Sequence, residues 1–254
     1  MYLQKFAAQL EYDGTGFMGY QRQANGRTVQ GEVESAIMKL SGSEARVHAA
    51  SRTDAGVHAS GQVISFWVGD QFTPEVVVRG LNHFLAGDVA VTGACVIDGD
   101  FDVRRRAVAR RYRYAITRSA ARVPLQERYS LRVSESLDVA GMRAAARTLQ
   151  GTHDFASFAT SLEDGESTVR MVHEARVCER GEDLEVCLTA NAFLRHQVRN
   201  MVGQLLRVGR GKCTVEEFEG LVACPGEAKA GPAAPARGLC LMEVRYERPL
   251  DLAA

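Results

Sequence analysis

No apolar stretch of this 254-residue sequence approaches the ~20 residues that a membrane-spanning helix needs. The first residues, 1–13, follow a strand-like pattern that includes Lys5 and Glu11, which differs from the apolar core of a signal peptide. The sequence therefore predicts neither a membrane anchor nor a signal peptide, and we expect a cytoplasmic protein.

Paired metal ligands are also lacking. The six cysteines contain no C-x-x-C pair and the six histidines no H-x-x-x-H pair, so the spacing favours neither a structural zinc site nor a helical metal site. In a chain of this length, scattered cysteines do not form a disulfide framework. We expect reduced cysteines and no metal centre.

Net charge is absent too, because 31 Lys and Arg residues balance 31 Asp and Glu residues. No whole-molecule field attracts nucleic acid, so any basic site must be local. The densest basic segment is 104–113, RRRAVARRYR, which has no acid. Arginine forks match phosphate geometry, and the interleaved rings of Tyr112 and Tyr114 can stack on bases, which favours single-stranded or looped RNA. We expect Arg110 and Arg111 to bind RNA; the alternative is an ordinary solvated face.

Hydrophobic periodicity in the first half predicts the order βαββαβ. Thr28 is a candidate helix cap, and Pro74 is a candidate first helical residue. The predicted strands cover 2–12, 45–50, 62–68 and 88–97, and the predicted helices cover 28–40 and 74–85.

The second half repeats this order with insertions. Asp138 and Gly151 delimit a predicted helix over 139–150, and Thr214 with Glu217 forms a capping box at the start of another helix. The other predicted elements are a strand at 109–118, a hairpin of 168–178 and 184–190 with its turn at 179–183, a helix over 191–208, a Gly/Pro/Ala-rich loop at 225–238 and a strand at 239–246.

These patterns together predict an α+β fold of two similar halves, residues 1–104 and 105–254. Each half is expected to be a mainly antiparallel sheet with helices on one face. By analogy with other duplicated folds, we expect an active-site cleft between the halves.

Three glycines, Gly14, Gly16 and Gly19, spell G-x-G-x-x-G directly after the first predicted strand. A dinucleotide fingerprint at this place opens a helix, so that the pyrophosphate lies on the helix N-terminus. Here residues 21–26 intervene before any helical pattern, and no βαβ unit follows. The pattern favours turn-forming glycines over a dinucleotide site.

The segment 51–61, SRTDAGVHASG, predicts a polar loop between two strands. Arg52 lies two positions before Asp54, and an opposite charge within reach favours the ionised carboxylate, as a nucleophile or charge-stabilising group requires. The alternative is an Asx-turn with a surface salt bridge. A Ser-His-Asp triad of Ser51, His58 and Asp54 is disfavoured, because neighbours on one short loop rarely reach triad geometry.

At these residues the sequence resembles a known family. RTDAGVHA (52–59) is similar to the catalytic signature of the tRNA pseudouridine synthase A family. The resemblance continues through four further ordered blocks, EYDGTGFMGYQRQ (11–23), ARRYRY (109–114), NAFLRHQVRNMVG (191–203) and GLCLMEVRY (238–246). It implies an enzyme that isomerises uridine to pseudouridine at positions 38 to 40 of the tRNA anticodon stem-loop. It also implies a homodimer with no cofactor, neither a nucleotide nor a catalytic metal.

The resemblance assigns roles to single residues. Asp54 takes the place of the catalytic aspartate, and Tyr112 matches the tyrosine that packs on the target uracil. Arg52 matches an arginine that enters the stack vacated by the flipped base, and Arg199 falls on the basic position expected to pair with the aspartate. The sequence departs from the common family pattern at three positions, where Ser51 replaces Gly, Tyr20 replaces Trp and Asp102 replaces His.

Other classes of protein compete with this interpretation. A non-catalytic RNA-binding module also explains the arginine and tyrosine pattern, but it has no use for a carboxylate in a phosphate-binding site. A base deaminase needs the zinc signature H-x-E with P-C-x-x-C, which is absent. A dinucleotide oxidoreductase is supported by the glycines alone.

Overall fold

The computed structural model describes residues 2–162 and 165–252. Across these ranges the strands are β1 (Leu3–Tyr12), β2 (His48–Ala49), β3 (His58–Gly69), β4 (Val89–Val96), β5 (Ala107–Arg118), β6 (Leu131–Val133), β7 (Gly151–Asp154), β8 (Val169–Arg180), β9 (Asp183–Ala190) and β10 (Leu239–Tyr246). The α-helices are α1 (Val29–Ser41), α2 (Pro74–Phe84), α3 (Val139–Thr148), α4 (Gln197–Gly209) and α5 (Val215–Ala223). The predicted α+β class, with mostly antiparallel strands, is confirmed.

The chain forms two compact units. Unit 1 comprises Met1–Val108 and Cys240–Ala254, and unit 2 comprises Ala109–Leu239. The sequence patterns placed the division at 104/105 and counted the last strand with the second half. The last strand joins unit 1 because β10 pairs in parallel with β3, at Cys240 with His58 and Leu241 with Ala59. A pairing between residues so far apart in the chain has no local sequence signal.

The sheet of unit 1 has the strand order β4-β1-β3-β10, and β2 also pairs with β3. The β1–β3 and β1–β4 pairs are antiparallel, as the alternating pattern of the first half predicts. Phe6 lies opposite Phe66, and their rings stack with centroids 6.2 Å apart. These rings are fully buried and form the centre of the unit 1 core.

Local signals account for both helices of unit 1. Thr28 caps α1 by accepting from the Gly31 N–H, and Gly42 ends the helix with a φ of 72°. Pro74 is the first residue of α2, where its missing N–H costs no hydrogen bond. The predicted bounds of α1 and α2 are confirmed to within one residue.

The sheet of unit 2 has the order β5-β9-β8-β7, all antiparallel, with β6 parallel to β5. The predicted hairpin is confirmed as β8 and β9, but the turn predicted at 179–183 is shorter: only residues 181 and 182 join the strands, and Gly181 has a φ of 62°. The capping box of Thr214 and Glu217 at the start of α5 is also confirmed.

Two predicted elements of unit 2 are corrected by the structure. The helix predicted over 191–208 begins only at Gln197, because the Asn191 side chain binds the N–H groups of Met171 and Ala192, and His196 has a φ of 62°. The helix predicted over 139–150 ends at Thr148, and Gly151 begins the unforeseen strand β7.

In the part of the chain that the structure describes, no helix is long and apolar enough to cross a membrane. Nor do the described residues contain a group of three His, Cys, Asp or Glu side chains that could hold a metal ion. All six cysteines lie within the described ranges, and no disulfide joins them.

Candidate active site

The loop that carries Asp54 is a tight turn before β3. The Val57 N–H donates to the Asp54 carbonyl at 3.1 Å, and Gly56, the third residue of the turn, has a φ of 77°. A positive φ at this position defines a type II turn and favours glycine. The Asp54 side chain is half-buried, and Arg52, two positions earlier, is exposed. Asp54 thus begins the turn, and Arg52 lies just before it in the chain.

A second loop, residues 13–27, packs against this turn. The Tyr20 N–H donates to the Thr53 carbonyl at 3.0 Å, and a Cβ on Gly19 would lie 3.0 Å from the same oxygen. A Cβ on Gly14 would overlap the Val57 carbonyl. Gly14 and Gly19 of the G-x-G-x-x-G pattern therefore permit close backbone approach to the Asp54 turn.

Arg27 anchors the end of the 13–27 loop. Its guanidinium donates to Asp88 at 2.9 Å and to Glu32 at 3.0 Å, and it stacks on the ring of Phe17 with 4.3 Å to the centroid. The hydrogen bonds from Arg27 lower the pKa of the Asp88 carboxyl below its ordinary value. This cluster ties the loop that supports Asp54 to the start of β4.

Tyr112 lies in β5, opposite Leu188 of β9, and is 6% exposed. The ring of Phe193 contacts it edge-on, with centroids 5.4 Å apart and planes at 85°. Phe193 belongs to the irregular segment before α4. Sequence reasoning missed this contact, although Phe193 lies within the quoted block NAFLRHQVRNMVG, because the segment was interpreted as a helix.

The two arginines before Tyr112 do not form an exposed surface patch. Arg110 is only 7% exposed, and its Nη1 donates to the Asn191 carbonyl at 2.7 Å. Arg111 is half-buried beside Cys187, whose thiol pKa is raised by burial, with Arg111 acting in the opposite direction. Arg110 therefore supports the segment that carries Phe193.

The exposed part of the arginine segment is residues 104–106, and the Arg105 side chain is 89% exposed. Asp102 shapes this turn by accepting from the N–H groups of Arg104 at 2.8 Å and Arg105 at 3.0 Å. Burial raises the pKa of the Asp102 carboxyl, but these donors together with the charges of Arg105 and His48 lower it by more, so the net pKa is lowered. Asp102 thus accepts two backbone hydrogen bonds that shape this turn.

Arg199 lies on α4 and is tied to the loop 225–238. Its Nε donates to the Ala234 carbonyl at 2.9 Å, and the Ala234 N–H returns a hydrogen bond to the Arg199 carbonyl at 2.9 Å. The Tyr114 hydroxyl donates to the neighbouring Pro235 carbonyl at 2.8 Å. Burial raises the pKa of Tyr114, and the charges of Arg237 and Arg199 lower it in part. Unit 2 therefore holds Arg199 in a defined place.

Comparison with known proteins identifies the family of this chain. The model of the tRNA pseudouridine synthase family matches residues 7–104 and 145–247, which include Arg52, Asp54 and Arg199. The chain belongs to the tRNA pseudouridine synthase family, and it is an isomerase that acts on uridine in tRNA.

Three curated relatives support this assignment over nearly the whole chain, and each is named tRNA pseudouridine synthase A. The protein of Roseiflexus sp. (strain RS-1) is 44% identical over 249 residues, which are 96% of this chain and 91% of the relative. That of Geobacter sulfurreducens is 44% identical over 237 residues, 93% and 97% of the two chains. That of Shouchella clausii is 39% identical over 249 residues, 98% and 95% of the two chains.

Proposed function

We propose that this protein converts uridine to pseudouridine at positions 38 to 40 of the tRNA anticodon stem-loop, with Asp54 as the catalytic carboxylate. The observation that carries the proposal is the turn of Asp54, which is closed by its own hydrogen bond and packed by Gly14 and Gly19. A catalytic group must be held close to its productive position, and a braced turn provides this.

The chemistry needs only one carboxylate. The reaction breaks the bond from ribose C1′ to uracil N1, turns the detached base, and forms a bond from C1′ to C5; the C5 proton then leaves and N1 is protonated. Glycosidases use two carboxylates because they must also activate water, whereas here the uracil is retained and no water attacks. Asp54 acts at the ribose, either by adding to C1′ or by removing a proton from C2′.

The target base must first leave its stack, which costs a few kcal/mol. Stacking on an aromatic ring and phosphate contacts offset this cost. Tyr112 is proposed to pack on the flipped uracil, and the exposed Arg52 to fill the vacated stack. Arg199 is proposed to bind substrate, and Arg110 and Arg111 to strengthen RNA binding.

The same proposal extends to the state of the working enzyme. We propose a cytoplasmic homodimer that uses neither a nucleotide cofactor nor a metal ion, as the family resemblance implies.

Isolated anticodon stem-loops test the proposed target. We expect pseudouridine in a 17-nucleotide hairpin that carries uridine at 38, 39 and 40, and none when these three uridines are replaced by cytidine. Pseudouridine formed elsewhere in full-length tRNA, with none at 38 to 40, would contradict the proposal. Tight tRNA binding without any conversion would favour the RNA-binding module.

A further inference from the structure

A chain of buried polar side chains lies behind the turn of Asp54. Gln62 of β3 is fully buried, and its carboxamide contacts both backbone groups of Ser51. Its Nε2 donates to the Ser51 carbonyl at 2.6 Å, and its Oε1 accepts from the Ser51 N–H at 3.3 Å. These two contacts fix the orientation of the carboxamide, because a flipped group would face carbonyl to carbonyl and N–H to N–H.

The chain continues from Gln62 to the residue next to Asp54. Nε2 of Gln62 also contacts the Tyr12 hydroxyl at 3.4 Å, and the Tyr12 Oη lies 2.8 Å from the Thr53 Oγ1. The Tyr12 oxygen accepts from Gln62, and either hydroxyl can donate in the short hydrogen bond between Tyr12 and Thr53. Tyr12 is 3% exposed and Thr53 is 7% exposed.

We propose that Gln62 and Tyr12 are positioning residues for the isomerisation, which fix Ser51 and Thr53 and thereby place the Asp54 carboxylate. This inference rests on the proposed role of Asp54. Buried polar groups are costly unless they are hydrogen-bonded, and apolar side chains at positions 12 and 62 would fill the same core without that requirement. The polar side chains of Gln62 and Tyr12 add directional contacts to Ser51 and Thr53, the residues on either side of Arg52.

The first test compares turnover and binding in conservative variants. Tyr12→Phe removes one hydroxyl, and Gln62→Glu removes the donors to Ser51 and Tyr12. A small displacement of a catalytic group costs about 10- to 100-fold in rate, so we expect kcat to fall in that range while tRNA Kd stays within about twofold. Both are measured at a temperature where circular dichroism shows every variant folded.

Tyr246→Phe is the matched control, because it removes a hydroxyl that donates to the Val103 carbonyl at 2.8 Å in the same unit. It is expected to keep the parental kcat. Full turnover in Tyr12→Phe and Gln62→Glu would overturn the inference, as would an equal loss in the control.

A double-mutant cycle tests whether Tyr12 acts through Thr53. If it does, Tyr12→Phe combined with Thr53→Val loses no more kcat than the larger single loss. Multiplicative losses of kcat would show that the two hydroxyls act separately. They would contradict the proposed hydrogen-bonded series from Gln62 through Tyr12 to Thr53.

Hydrogen–deuterium exchange of peptides covering 48–62 gives a result that does not depend on activity. Exchange is expected to be faster in Gln62→Glu and Tyr12→Phe than in the parent, and unchanged in Tyr246→Phe. Unchanged exchange in all three variants would overturn the inference. Turnover that persists in Asp54→Asn would instead refute the proposed function. The exchange result would still show whether Gln62 and Tyr12 order the turn of Asp54.

Discussion

The ring of Phe193 stands edge-on to the ring of Tyr112, with 5.4 Å between centroids and 85° between planes. Tyr112 is nearly buried on β5, whereas Phe193 comes from the irregular segment that Arg110 holds through the Asn191 carbonyl. An edge-to-face pair has a preferred orientation. The contact therefore limits how the proposed uracil-stacking ring can tilt.

Phe193→Ala is expected to lower turnover while the protein stays folded. An aromatic pair contributes about 0.5–1.5 kcal/mol beyond its buried area, which corresponds to a loss of up to about tenfold if the contact orients Tyr112 in the transition state. Single-turnover rates at saturating tRNA measure this effect. Phe84→Ala, which removes the T-shaped contact of Phe84 with His83, serves as control and should be neutral. An unchanged rate in Phe193→Ala would show that Tyr112 needs no such support.

Arg111→Ala is expected to weaken tRNA binding and to flatten its salt dependence. Each phosphate contact that is lost reduces the slope of log K against log salt by about one. Filter binding between low and moderate salt measures the slope. Arg79→Ala, an exposed arginine on α2, is the control. A parental slope in Arg111→Ala would remove this residue from the phosphate contacts.

Arg110→Ala is expected to change both tRNA binding and thermal stability. It should weaken binding in the same way, and it should also lower Tm, because the Asn191 carbonyl loses its 2.7 Å donor. Thermal unfolding and filter binding on the same preparation separate the two effects. A lower Tm with a parental salt slope would limit Arg110 to a structural role.

The ion pair of Arg27 and Asp88 predicts an acid-sensitive part of the stability. The Asp88 pKa is lowered chiefly by its hydrogen bond with Arg27, so the folded state holds the carboxylate charged at lower pH than the unfolded chain, whose value is about 3.9. The pair therefore stabilises the fold fully above that unfolded value, and its contribution is lost as pH falls through the lower folded pKa.

Asp88→Asn should accordingly lower Tm at pH 7, and the difference from the parent should be the same at pH 5 and smaller at about pH 3. Thermal unfolding at pH 7, 5 and about 3 follows this change. Asp100→Asn, which alters an exposed carboxylate, should match the parent throughout. A constant difference between Asp88→Asn and the parent across this range would contradict the assignment of the pair.

Local signals in the sequence predicted most of the elements. The Thr28 cap, Pro74 at the start of α2 and the capping box of Thr214 all act within one turn of helix, so they can be recognised without the rest of the fold. Long-range pairing could not be recognised in this way. The return of β10 to unit 1 and the irregular segment at Asn191 both depend on partners far along the chain.

The residues of the candidate site also fall into two groups, those that sequence motifs marked and those that they did not. RTDAGVHA and ARRYRY carry the proposed catalytic and RNA-binding residues, whose roles come from the family resemblance. The residues that support them were missed. Gln62 begins the strand-like run QVISFWV and has no polar neighbour in sequence to mark its contact with Ser51. Supporting contacts of this kind become visible only when the strands are placed together.

The most direct test of the account is tritium release from C5-labelled uridine in a tRNA transcript, measured with EDTA present for the parent, Asp54→Asn and the control Asp70→Asn. The account predicts release by the parent and by Asp70→Asn, and none by Asp54→Asn, whose tRNA affinity should stay within a few fold of the parental value. Clear release by Asp54→Asn would contradict the catalytic role of Asp54, and release that EDTA abolishes would contradict a metal-free reaction.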